Sequence, residues 1–192
     1  MTSADHLSSA PAWSHIEDFL RAHDADRIPH PGGTLLAHLA RVAALLAQWG
    51  TDSAVQAAGL CHAAYGTDGF DGALLGLDER AALAELVGDR AEALVYLYAS
   101  CDRTAVYPRL GRDERPLFHD RFTGDDHLPP EEDLRAFLAL TAANELDVLA
   151  HNAELADRYG PGLYELFSRV RHLLPEAAWA VCVEQLGDSA RR

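Results

Sequence analysis

Lysine is missing from this sequence: all sixteen basic side chains among its 192 residues are arginines. That absence excludes a Schiff-base lysine, a phosphate-loop lysine and a lysine general base. Cysteine is scarce too. Cys61, Cys101 and Cys182 lie far apart with no C-x-x-C pair, so neither a disulfide framework nor a thiolate zinc site is expected. No uncharged apolar run is long enough to cross a bilayer, and the first dozen residues lack the basic and apolar regions of a secretory signal. A cytoplasmic location is therefore expected. Positive charge is in deficit as well: the formal net charge of −14 argues against nucleic acid or an anionic membrane as partners, because phosphates would be repelled. There is no G-x-S-x-G elbow, no G-x-G-x-x-G fingerprint and no H-E-x-x-H helix, and the string DGFDG lacks the ligand spacing of an EF-hand loop.

The composition, 48% hydrophobic and 24% charged, is that of a globular chain, and the length suits one domain with one core. Periodicity predicts an all-α fold, with a flexible N-terminus over 1–12 and a single helical domain over 13–188. A short helix is expected over 13–23, with Trp13, Ile16, Phe19 and Leu20 on one face. Pro29 and Pro31 then keep the next segment extended. Thr34 caps a helix to about Trp49, and Asp52 or Ser53 starts another to about Tyr65. Two helices broken near Gly88 fill 78–102. Residues 103–130 carry four prolines and many charges without sustained periodicity, which predicts one long irregular loop of a functional kind. A helix from Glu131 to about Asn152 follows, and two closing helices are expected near 162–173 and 175–186. No alternating pattern supports a strand.

Ten histidines are present, and most have ordinary explanations. His6, His15 and His23 sit in polar contexts, and His172 lies near a helix C-terminus where positive charge is favourable. His30, His38 and His62 stand apart. His38 and His62 fall on consecutive antiparallel helices with apolar surroundings, and a buried imidazole needs partners for both ring nitrogens. One such residue is usually a satisfied core histidine; two on facing helices suggest a shared site.

The pattern His38-x-x-Arg41-Val42-Ala43 with Leu60-Cys61-His62 resembles the first two ligand-bearing helices of the HD superfamily of metalloenzymes. Ala143-Asn144-Glu145-Leu146-Asp147 resembles that superfamily's closing element. The strings HPGGTLLAH, GLCHAAYGT, YLYASCDR, DRFTG and TAANELD together resemble an uncharacterised family of small HD-like proteins, over roughly residues 17–150. The resemblance implies an HD-like helical bundle and a metal site in which His38 and His62 are ligands. Two positions depart from the pattern. The aspartate expected after His62 is Ala63, and the closing aspartate falls on Asn144. Those carboxylates neutralise and bridge metal ions, so a dinuclear phosphohydrolase centre is not expected. A mononuclear zinc or iron site with His38, His62 and His30 stays open, with Asn144, Asp147 and His151 as other candidates for the third ligand; so does a site with no metal at all.

Around these residues, Tyr65 lies three positions after His62, where one helical turn would bring both toward one cavity for acid–base work. Arg103 and Arg121 bracket the long loop and suit bidentate binding of a carboxylate or phosphate. Tyr107, Phe118 and Phe122 are candidate lid residues, while His119 and His127 are expected to be exposed. Asn144, Asp147 and His151 share a helix face, and Asn144 and Asp147 rank above Glu145, which points about 100° away from Asn144. The expected site is thus His30, His62, Tyr65 and Asp147 for catalysis, and Arg103, Arg121 and Asn144 for substrate. The leading expectation is an HD-like enzyme, hydrolytic or oxidative, acting on a small polar or anionic molecule. A metal-free acid–base enzyme and a small-molecule-binding regulatory module are the alternatives. The broad apolar faces of the alanine-rich helices also leave room for a homodimer.

Overall fold

The computed structural model describes residues 13–69 and 72–187; the flexible N-terminus expected over 1–12 lies outside the described residues. Among the described residues there are nine α-helices, and the all-α expectation holds. Helix α1 (Trp13–Ala22) buries Ile16 and Leu20. A tight hairpin follows, in which β1 (Pro29–His30) pairs antiparallel with β2 (Gly33–Thr34). Thr34 then caps α2 (Leu35–Gln48), its hydroxyl accepting the Ala37 N–H at 3.2 Å. Asp52 caps α3 (Ser53–Cys61) in the same way. Each cap satisfies an N–H that the first helical turn cannot.

Helices α4 (Arg80–Val87) and α5 (Asp89–Ser100) meet at Gly88, whose φ of +89° lets the chain turn without a break. The segment expected to be one long loop is partly built. It holds α6 (Arg103–Val106) and a second short hairpin, β3 (Phe118–His119) against β4 (Asp126–His127). These two-residue strands are too short to show alternation, so periodicity could not reveal them. Phe118 is fully buried and meets Phe137 edge-on at 4.9 Å, while Phe122 packs on Tyr96; neither is a lid.

Helix α7 (Glu131–Ala150) is the axis of the molecule. It buries side chains on nearly every face and packs against α2, α3, α5, α8 and α9. Helix α8 (Ala153–Val170) starts nine residues before the expected position, capped by Asn152, and runs through Pro161. The Gly160-Pro161-Gly162 string reads as a breaker, but Leu163, Leu166, Phe167 and Val170 gain burial if the helix continues. Tertiary packing outweighs the local penalty. Helix α9 (Glu176–Leu186) closes the bundle. All three cysteines are buried and free, and burial pushes the Cys61 and Cys182 thiols up to about 12, as expected of core residues.

The first hairpin matters because of where it is pinned. Gly32 has φ of +80°, and a Cβ there would come within 2.5 Å of His151 Cδ2 and 2.8 Å of Arg41 Nη2. Only glycine combines that backbone with that approach. We expect Gly32→Ala to cost about 1–3 kcal/mol and to lower Tm by several degrees in thermal unfolding. An unchanged Tm would show that the hairpin is not anchored on α7.

Candidate functional site

The site forms where the start of α2, the end of α3 and the C-terminal half of α7 converge. His38 and His62 are 1% and 2% exposed. His38 Nδ1–H donates to Asp147 Oδ2 at 2.7 Å, and His62 Nδ1–H donates to the Gly59 carbonyl at 2.8 Å. Carboxylate and carbonyl oxygens only accept, so both protons sit on Nδ1 and both Nε2 atoms are turned toward each other, 3.3 Å apart. Asn144 turns its carbonyl oxygen to His38 Nε2 at 3.1 Å and donates through its amide to Glu145 Oε1 at 3.2 Å. Three lone-pair atoms therefore face one point. Such a cluster calls for a donor or a cation among them, and a proton or a metal ion would serve all three at once.

The spacing bears on which. A separation of 3.3 Å is long for a shared N–H···N bond, yet two nitrogens each about 2.05 Å from one tetrahedral ion lie roughly 3.3 Å apart. An acceptor on each Nδ1–H is also the arrangement that orients histidine ligands. Against this, no group of three or more His, Cys, Asp and Glu converges as a metal site among the described residues. The third converging atom is the neutral amide oxygen of Asn144, and Ala63 is a buried small side chain beside His62.

Asp147 is the anchor behind His38. It also receives a bidentate pair from Arg41, Nε to Oδ1 at 2.6 Å and Nη2 to Oδ2 at 2.9 Å. Arg41 in turn holds the Pro31 and Gly32 carbonyls of the hairpin. Burial alone would raise the Asp147 carboxyl, but the hydrogen bonds from His38 and Arg41 outweigh it and bring it down to about 2. Burial, with His38 beside it, lowers His62 to about 3 and His30 to about 4, so both rings are neutral near pH 7.

In front of the pair opens a cavity of about 910 Å³, within the range of ligand sites. His30, His38, His62, Arg103, Asn144 and Glu145 all line it. His30 stacks on His38 with ring centroids 4.0 Å apart, so its ring lies over the face of His38 rather than in line with Nε2. Arg103 reaches it from α6, donating to Tyr107 Oη at 3.0 Å and to the Asp68 carbonyl. The Arg103 guanidinium also lies over Tyr98, whose hydroxyl is buried without a hydrogen-bond partner among the described residues.

Three expected residues are elsewhere. Helix α3 ends at Cys61, so the one-turn spacing from His62 to Tyr65 does not apply, and Tyr65 donates to the buried Glu92 at 2.9 Å. Glu92 is also gripped by Arg80. Arg121 is exposed, tying the loop to the Ala99 carbonyl and covering Phe122. Asp147 does not line the cavity, because its carboxylate is spent on His38 and Arg41; His151 caps α7 and bonds the Asp147 carbonyl. Glu145, expected to point away from the site, lines the cavity with Asn144. His119 is half-buried and pairs with Asp126.

Sequence reading missed Arg41 as the partner of Asp147 and missed the wall supplied by α8. For Arg41 a signal existed, since it lies three residues after His38 on one helix face. For α8 none did, once the helix was started too late.

A family model described as a domain of unknown function (DUF6817) matches residues 19–103. The stretch carries His30, His38, Arg41, His62 and Arg103 and stops before the α7 residues; it brings no HD assignment. No curated protein and no solved structure matches the chain. Fold and site together define a helical protein with a paired-histidine pocket.

Asp147 makes the site measurable by stability. A carboxyl held near 2 in the fold and near 3.8 when unfolded stabilises above the higher value, and loses that contribution as pH falls through the lower. We expect Asp147→Asn to lower unfolding free energy at pH 7 by about 2–3 kcal/mol, with the gap to wild type closing toward pH 2. Denaturant titration at several pH values checks this; a gap that did not depend on pH would remove the charge from the account.

Proposed function

We propose that this protein is an HD-like enzyme acting on an anionic small molecule, with one transition-metal ion held by His38 and His62. The observation that carries this reading is the convergence of His38 Nε2, His62 Nε2 and Asn144 Oδ1, each histidine aimed by an acceptor on its other nitrogen. A charge-neutral set of two imidazoles and an amide favours zinc or iron over magnesium. Bound there, such an ion would supply Lewis acidity for hydrolysis or redox chemistry for oxidation.

The chain's own residues set the conditions. Asp147 keeps the Nδ1 proton on His38 and leaves Nε2 free to bind. Arg103, with three of its five N–H donors left beyond those on Tyr107 and Asp68, orients the anionic part of the substrate. The Asn144 amide and Glu145 carboxyl stand beside the reacting position, the half-buried ring of His30 covers one face of His38, and the buried ring of Tyr98 packs edge-on against His62.

A second reading is favoured by Ala63 and by the missing third ionic ligand. In it, one proton on His38 Nε2 is shared with His62 and Asn144, and the Asp147–His38 pair does acid–base work without metal. Elemental analysis of untagged protein separates the two. The metal reading expects one zinc or iron per chain, lost in His38→Ala and in His62→Ala. No metal in wild type, even after reconstitution with either ion, would sink it. The acid–base reading then expects ¹⁵N NMR of the imidazoles to show His38 protonated on both nitrogens.

A further inference from the structure

The cavity has two chemically distinct ends. At one end Gly32 of the hairpin abuts His151 at the C-terminus of α7, and Pro29 and Leu35 on the first side and Val148, Leu149 and Leu155 on the second all line the cavity. This end is apolar. At the other end the Arg103 backbone N–H donates to Asp68 Oδ2 at 2.9 Å, and Arg169 of α8 donates to the Tyr107 and Leu110 carbonyls. That end carries two guanidinium groups, and the Asp68 carboxylate there is engaged with backbone rather than with either of them. Helix α8 joins the ends. Leu155, Tyr159, Leu163, Leu166 and Arg169 recur at helical spacing along the cavity wall, a stripe of roughly 20 Å. His38, His62, Asn144 and Glu145 line the same cavity.

We infer that the ligand is an anionic amphiphile, with a carboxylate or phosphate head at Arg103 and an unbranched apolar body lying along α8 toward Leu155. A small polar molecule would leave the Val148, Leu149 and Leu155 walls facing water inside a cavity of about 910 Å³, and would gain nothing from them. A purely apolar molecule would strand the half-buried guanidinium of Arg103 and the histidine pair. Only a molecule with both parts matches both ends. The inference rests on the reading of this cavity as the working site of His38 and His62, and it names the substrate class of that site.

Binding tests it without turnover or metal. Isothermal titration of the full chain, below the critical micelle concentrations, would use butanoate, octanoate and dodecanoate, with dodecyl phosphate and dodecanol beside them. We expect affinity to rise by at least about tenfold at each lengthening of the chain. Leu155→Trp, at a partly exposed wall position, should erase the gain for dodecanoate and leave butanoate unchanged. Arg103→Gln should weaken both the carboxylate and the phosphate by about tenfold or more. Whichever of those two heads binds tighter identifies the source. A flat series, or a Leu155→Trp series identical to wild type, would overturn the apolar part. Dodecanol binding as tightly as dodecanoate in wild type would overturn the anionic part, whatever Arg103→Gln does to folding. The full series in protein that takes up neither zinc nor iron on reconstitution would keep this inference while the metal reading fails.

Discussion

Asp147 is a charged group inside the protein, and a buried charge costs several kcal/mol unless it is paired and hydrogen-bonded. Its two oxygens accept from His38 and take a bidentate grip from Arg41, so the cost is met by three hydrogen bonds from one helix. Much else depends on that arrangement. It locks α2 against α7, fixes the tautomer of His38 and, through Arg41, holds the Pro31-Gly32 turn on which the apolar end of the cavity is built. Remove the carboxylate and all three lose their reference point. A second buried carboxylate, Glu92, follows the same rule with Arg80 and Tyr65, but it ties α4 and the segment after α3 to α5.

The paired histidines are the complement of this rigidity. Each has one nitrogen committed to an acceptor, so neither can relieve the approach of the two Nε2 atoms by turning over. A site made only of lone pairs is poised to take up a cation or a proton, and the fold pays for that readiness with the burial of two neutral rings. Ala63 and Asn144 then limit the charge such a site can balance. Two imidazoles and an amide bring no negative charge of their own, and the carboxylates in contact with them, Asp147 on His38 and Glu145 on Asn144, each stand one bond further back. That argues for a single ion or a single proton rather than a bridged pair of ions.

Much of this was legible in residue order. The caps at Thr34 and Asp52, the breaks at Gly50 and Gly88 and the start of α7 after Pro130 follow from local backbone chemistry, which acts within a few residues. His38 and His62 could be paired because polar residues on apolar helices need partners. What stayed hidden depended on distance. Tyr65 was assigned to the site by helical spacing, and the helix ended four residues too soon. Phe118 sits in a stretch with no periodicity, yet it is fully buried because Phe137 and the hairpin close over it. Pro161 reads as a helix breaker, but the apolar stripe of α8 carries the helix through it.

By itself, the sequence determined the helical class, the helix ends set by their caps, and the residue types a site could use: no lysine, no paired thiols, and histidines at two helix positions. Those are consequences of local propensity and of what chemistry a side chain can do. Only the tertiary structure decided which of those residues meet. It turned Asp147 away from the cavity and Glu145 into it, joined Arg41 to a partner on a helix far along the chain, and set an apolar wall from α8 opposite the histidines. Such pairings are long-range because burial and charge compensation are satisfied in space, where residues distant in sequence compete for the same partner.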